Sequence, residues 1–348
     1  MSSEFAGVLH DLLAGADVPA AARRWAAGDL APGLALWRRL AGLGVTALAV
    51  PEKRGGLGAG PLDLAAACEE LGHHAVPGPV AETLAAVPVL LAGLPGGSYS
   101  AGQGGPGSAG RGDEWLAALA AGELIATVAM PPWLPLAADT EAAGLVLLAT
   151  DGVVRVGRAG ARHRSFDPAR SVAEVDGGEV LGTDPALSSR SLCSRALELG
   201  ALACSAQLLG AGRALLEASV RHVRTRTQFG RPVGAFQAVK HKLADVAIGL
   251  EFARPLLEAA ALALGDGTPG DGTLGDGTLG EAARDVSAAK VACGDAAYRA
   301  ARAALQVHGA IGYTEEHDLS LWLAKVRALL PAWGTPAHHR ARVLSALS

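Results

Sequence analysis

The chain has 348 residues, half of them hydrophobic, 18% charged, and a formal net charge of −4. That length buries a core of two or three packing units. Because charges of both signs are scattered along it, no basic face is left for nucleic acid or anionic lipid. The apolar excess is Ala and Leu, interrupted by charged residues or Gly well before the ~20 residues of a membrane span.

The first residues include Glu4 and Asp11 and no basic segment ahead of an apolar stretch, so no secretory signal is expected and a cytoplasmic protein is the reading. Cys68, Cys193, Cys204 and Cys293 lack CxxC spacing, as expected of free thiols in a reducing compartment.

From Asp17 to about Leu94 apolar residues recur at spacings of three and four, as in Trp37, Leu40, Leu43 and Leu64, Ala67, Leu71, which is helical periodicity. Pro51 to Gly58 cannot continue a helix and reads as a loop between two helices. Residues 1–94 therefore form an N-terminal helical domain. Pro95 to Gly112 holds eight Gly and almost nothing apolar, and residues 95–115 are expected to be a flexible linker.

Within residues 116–188 the texture changes to short apolar runs, Leu124 to Met130, Gly144 to Thr150, Val153 to Val156 and Val172 to Val175, the pattern of a reduced β domain. Residues 189–348 return to long helices, a C-terminal helical bundle interrupted at 265–280 by a five-residue Asp-Gly-Thr repeat. Its period fits neither the EF-hand loop nor the calcium nonapeptide, so it reads as an expanded loop between helices.

The run Arg224 to Asp245 reads as the end of one long helix, a turn at Gly230 to Gly234, and a second helix beginning at Phe236. Arg and Gln gather at the corner, where fork-shaped guanidinium and amide groups suit an anionic ligand such as a pyrophosphate. Ten histidines include the pairs His73-His74 and His338-His339 and the isolated His222, His241, His308 and His317. None has HExxH or His/Cys ligand spacing, so no metal is expected. There is no G-x-S-x-G elbow, and the Gly-rich segments lack the strand-turn-helix setting of a P-loop.

The order R-x-Q-F-G-x-x-x-G-x-F-Q from Arg226 to Gln237, followed by His241-Lys242-Leu243-Ala244-Asp245, resembles the C-terminal helical domain of the acyl-CoA dehydrogenase family. Gln306 to Glu316 resembles that family's later Q-x-x-G-G segment. Leu36 to Leu40, Ala49 to Glu52, Gly55 to Gly58 and Glu69 to Gly72 match its N-terminal domain. The resemblance covers roughly residues 17 to 92 and 190 to 345 and implies a mainly α fold: N-terminal helical domain, reduced central β domain and C-terminal four-helix bundle. It also implies FAD shared between subunits. Arg226, Gln228 and Phe229 would flank the pyrophosphate and adenine, with Gln237 nearby, and Gln306 and the Gly309 backbone would complete the pocket.

The chain departs from the family where chemistry is done. The family's α-proton is removed by a Glu just before a Gly-Thr pair near the C-terminus; here the stretch reads Ala332-Trp333-Gly334-Thr335, and an indole accepts no proton. Some members carry the base on the helix leading into the R-x-Q-F-G corner, where an ungapped count reaches Gly200 and Ala201. Glu198 is two positions, or about 200° of helix, away, and reads as a solvated helix residue.

Neither the T-E-P-x-x-G-S-D-like loop nor the W-I-T-N-G-like strand of the family is recognisable between Glu123 and Asp184. No catalytic residue is therefore assigned. The reading is a non-catalytic subunit like those of the heteromeric actinobacterial enzymes of sterol side-chain degradation. It would complete the FAD site of a homologous catalytic subunit in an α2β2 heterotetramer, with acyl-CoA held mainly by the partner. A self-sufficient flavoenzyme of altered chemistry and an FAD-free scaffold are the alternatives.

Overall fold

A computed structural model of the chain describes residues 2–94, 108–183, 192–265, 276–314 and 317–348. The N-terminal unit holds α1 (Ser2–Ala14), α2 (Val18–Ala26), α3 (Ala31–Gly42) and α4 (Pro61–His73), then a π-helical turn (Glu82–Ala86) that runs into α5 (Val87–Gly93). Local signals set the starts. The Asp17 carboxylate accepts from the Ala20 N–H at the head of α2, and Pro61 opens α4 where its missing donor costs nothing. The Pro51 to Gly58 segment is a loop with a single 3-10 turn, and Gly55 and Gly58 adopt positive φ.

The middle unit has α6 (Ser108–Ala120) and then β1 (Ala126–Ala129), β2 (Ala137–Ala138), β3 (Leu145–Thr150), β4 (Val153–Arg164) and β5 (Ser171–Thr183). These form one sheet in the order β1-β3-β4-β5-β2, parallel between β1 and β3 and antiparallel elsewhere. Two expectations are corrected here. The helix α6 crosses the boundary between the expected linker and β domain, because Leu116 and Leu119 are fully buried and their helix recruits the Gly-rich residues before it. Strands β4 and β5 also run well past the apolar runs that announced them. Their distal halves are largely exposed, so they carry no hydrophobic signature.

The C-terminal unit is built on α7 (Leu192–Thr225), followed by the two-residue strands β6 (Thr227–Gln228) and β7 (Arg231–Pro232). Then come α8 (Gln237–Gly265), α9 (Asp276–His308), α10 (Leu319–Leu329) and α11 (Pro336–Ala346). The first two units of the five-residue repeat lie outside the described residues, but the third, Asp276 to Gly280, begins α9 rather than belonging to a loop. Such extension is cheap once a long helix is nucleated.

Helix α7 is long and apolar enough to cross a membrane, yet 89% of its apolar window is buried inside the protein. Its glycines explain how it sits at the centre. A Cβ at Gly210 would stand 1.9 Å from the Glu69 carbonyl oxygen, and one at Gly72 would stand 2.2 Å from the Gln207 carbonyl oxygen. So α4 and α7 touch backbone to backbone, and one continuous core links the helical units with the sheet. Cys68, Cys204 and Cys293 are buried free thiols and Cys193 is half-buried. Burial pushes the Cys68 thiol up, and it pushes the Cys293 thiol up to about 12.

Candidate functional site

The corner between α7 and α8 is a short hairpin. At the end of α7 the Thr225 hydroxyl donates back to the carbonyls of Arg221 and His222. The Val233 N–H donates to the Arg226 carbonyl at 2.8 Å. Between β6 and β7 only Phe229 and Gly230 remain, with φ of +52° and +75°, the left-handed pair of a type I′ turn. The turn is thus tighter and earlier than the sequence suggested. Gly meets that requirement freely, but Phe does not, and the strain is spent on presenting a side chain that is 91% exposed. Its ring meets Phe236 edge-on at 6.2 Å, and the Arg231 guanidinium lies 4.1 Å over the Phe236 ring.

The six residues expected to serve a flavin sit at one end of the bundle. Arg226, Gln228, Phe229 and Gln237 line the corner, all exposed. Gln306 lies near the end of α9, and Gly309 follows at φ +64°. Two contacts bring the α9 end to the corner: the His222 and His308 rings stack at 4.2 Å, and Lys242 Nζ donates to Gln306 Oε1 at 2.6 Å. Gln228 Nε2 donates to the Thr227 carbonyl at 2.8 Å. Among the described residues no carboxylate pairs with Arg226.

This is a donor-rich, solvent-facing surface with an uncommitted permanent cation and a presented aromatic, and it fits the diphosphate and base of a dinucleotide. Lys242, whose type and place in the His241 to Asp245 segment gave no sign of a role, adds a second cation there. Alongside runs an open groove between α8 and α9 lined by Lys242, Asp245, Ile248, Phe252, Arg299 and Gln306. Ile248, Phe252 and Leu256 repeat every fourth residue on α8, and Phe252 is 75% exposed. These side chains make an exposed apolar stripe beside the donor surface.

The second region surrounds Trp333. Its backbone has φ +60°, and Gly334 follows at +102°. His339 locks this turn, since its Nε2–H donates to the Trp333 carbonyl at 2.9 Å while Nδ1 accepts from the Ser287 hydroxyl at 3.1 Å. Burial pushes the His339 imidazole down to about 4, so it is neutral. The indole is 2% exposed and lies on Gly200, where a Cβ would come within 2.2 Å of the ring. The Glu82 carboxyl lies beside it, pushed up by burial against the pull of Arg170 at 4.0 Å.

Glu198 is not solvated as expected. It is buried, raised in pKa by that burial, and bridged by both Arg342 guanidinium nitrogens, at 2.5 and 3.5 Å. A helix position that looks outward from sequence is covered here by α11, which only the tertiary fold supplies. Sequence reasoning also missed Glu82 and Asp139. Both are buried, and burial raises Asp139 to about 6. The one hint in sequence was an acidic residue inside an otherwise apolar run at Glu82.

Two helical units around a small sheet, with a donor-rich surface at one bundle end, make a dehydrogenase-type scaffold. The chain belongs to the acyl-CoA dehydrogenase family. Residues 4–123 match its N-terminal domain and residues 191–348 its C-terminal domain. Acyl-CoA dehydrogenase IpdE2 of Mycobacterium tuberculosis is 30% identical over 88% of this chain and 85% of its own length. Acyl-CoA dehydrogenase FadE34 of the same organism is 31% identical over 83% of this chain but 39% of its own length.

Among solved structures, the Tcur3481-Tcur3483 steroid acyl-CoA dehydrogenase aligns with TM-score 0.79 and 21% identity over 99% of this chain and 97% of that one. The ChsE4-ChsE5 complex of M. tuberculosis gives 0.76 and 21% over 99% and 96%. Both show the fold.

Proposed function

We propose that the chain is the non-catalytic subunit of a heteromeric FAD-dependent acyl-CoA dehydrogenase that desaturates a bulky, steroid-type acyl-CoA. The observation that carries this is the Trp333–Gly200 contact. Trp333 stands where the family's C-terminal base is expected and packs on Gly200, one of the two residues that the ungapped count reaches for the alternative base, and neither residue ionises. Glu198 is engaged by Arg342 and faces a different helix. Two of the similar structures are named as pairs of unlike subunits, which supports a partner for this chain.

In the complex the chain's residues bind and orient. Arg226 and Lys242 would offset diphosphate charge, Gln228 and Gln306 would donate to its oxygens, and Phe229 would lie against the base. The flavin, when bound, supplies the hydride acceptor. The α8 stripe at Ile248, Phe252 and Leu256 would be covered by the partner in an α2β2 assembly that carries the acyl-CoA. Co-expression with a homologous acyl-CoA dehydrogenase that keeps its own base and β domain tests the reading. The expected result is a colourless chain alone and a yellow, active complex. A chain that alone forms a yellow homotetramer and oxidises acyl-CoA overturns it.

A further inference from the structure

Far from the donor surface, three histidines and a carboxylate converge where α1 crosses the end of α4. Helix α4 offers Glu70, His73 and His74 at spacings of three and four on one face, and α1 supplies His10. The three imidazole rings touch one another, with centroids 4.8 to 5.2 Å apart. One ligand atom from each of the four residues falls within 4.8 Å of every other. Sequence spacing could not reveal this group, because His10 is sixty residues from its partner Glu70.

Proton accounting shows that the cluster is incomplete as a hydrogen-bond network. His10 Nδ1 is 2.9 Å from Glu70 Oε2 and 3.2 Å from His74 Nε2. A carboxylate only accepts, and Glu70 also accepts from Arg213 at 3.0 Å. The His10 N–H is therefore taken by Glu70, and His74 Nε2 meets a nitrogen with no second proton to give.

His73 adds a second, independent sign. Its Nε2 is 3.0 Å from the Glu217 carboxylate, which fixes the proton there, while Nδ1 is buried without any partner. A buried lone pair left bare on a ring that donates to a carboxylate from its other nitrogen is the arrangement of a metal-bound histidine with its supporting acid.

We infer that His10, Glu70, His73 and His74 form a binding site for a divalent transition metal of the zinc class, stapling α1 to α4. Three imidazoles and one carboxylate are borderline donors in the number that a closed tetrahedral site requires. The 2.9 and 3.2 Å separations approach the ~3.3 Å edge of a tetrahedron with ~2.05 Å bonds. The nearby charges do not forbid a cation. Arg213 takes Glu70 Oε1 and leaves Oε2, and both Arg213 and Arg254 are already held by Glu69.

The test uses the untagged full chain, stripped with chelator, alone or in whatever complex it purifies with. Titration with Co2+ should give the intense visible bands of a tetrahedral site at one equivalent per chain, and Zn2+ should displace them. His10→Ala lies at the exposed edge of the cluster and is read beside a circular-dichroism melt. It should weaken binding at least tenfold, and His74→Gln should do the same. A Co2+ spectrum that stays that of the aqueous ion, or binding that both variants leave unchanged, overturns the inference.

Discussion

Truncating Arg226 isolates what the corner does. Because its guanidinium is exposed and meets no carboxylate among the described residues, Arg226→Ala removes nothing that the fold uses. The melting temperature of the isolated chain should stay within about 1 °C, as befits a surface change of less than ~0.5 kcal/mol. If the residue instead meets flavin diphosphate in the complex, the substitution deletes charge-assisted hydrogen bonds worth about 1.5–3 kcal/mol. That corresponds to roughly 10- to 150-fold weaker flavin binding. Equilibrium titration of the deflavinated complex with FAD, followed by flavin fluorescence, reads it directly. Lys242 lies on the same surface and sets a floor, since its charge persists and flavin binding should weaken without vanishing. A dissociation constant within threefold of wild type, with assembly intact, would refute the placement of a diphosphate at this corner.

Phe252→Asp puts a charge in the middle of the exposed α8 stripe, and size-exclusion chromatography should show the partner lost while the chain alone keeps its melting temperature. Glu198→Gln should leave turnover of the complex within about threefold, whereas loss of a general base costs 10²-fold or more; a melt measured in parallel separates that from the cost of a buried Arg342 without its carboxylate. The His339 imidazole has its folded pKa depressed to about 4, so the native state binds fewer protons than the unfolded chain between there and about 6.5. Its contribution, up to about 3 kcal/mol, is present above that window and lost as pH falls through it. Asp139 works in the opposite sense: its folded pKa is raised to about 6, so its contribution is present below about 4 and lost as pH rises toward 6. Denaturant melts of His339→Gln and Asp139→Asn from pH 4 to 7 should each remove one of the two opposing slopes.

What sequence made legible follows from the range of each interaction. The helical units, the sheet and the α7–α8 corner are encoded in periodicities and motifs a few residues long, and Trp25, Leu40, Leu71 and Leu208 are buried as those patterns require. Positions defined by residues remote in the chain were not legible. Glu198 is covered by Arg342, which lies 144 positions away. His10 reaches the His73-His74 pair only because α1 folds back across α4. The exposed halves of β4 and β5 escaped for another reason: they bury too little apolar surface to alternate.

Trp333 is more than a residue standing where a carboxylate is absent. The fold has adapted to it from three sides: Gly200 has no side chain and leaves room for the ring, the buried Glu82 carboxyl lies beside it, and His339 fixes its backbone at positive φ. Trp333→Glu would therefore not recreate a base in one step. It would empty the space of a buried indole, a loss of about 3–5 kcal/mol for aromatic truncation. It would also place a second carboxyl beside one that burial already pushes toward its neutral form, so that the pair would share a proton. Regaining a free carboxylate would require a side chain at position 200 to refill the space and a neutral residue at position 82. A site that takes three coordinated changes to undo is maintained by packing, and that is why the catalytic half of the proposed enzyme is assigned to another chain.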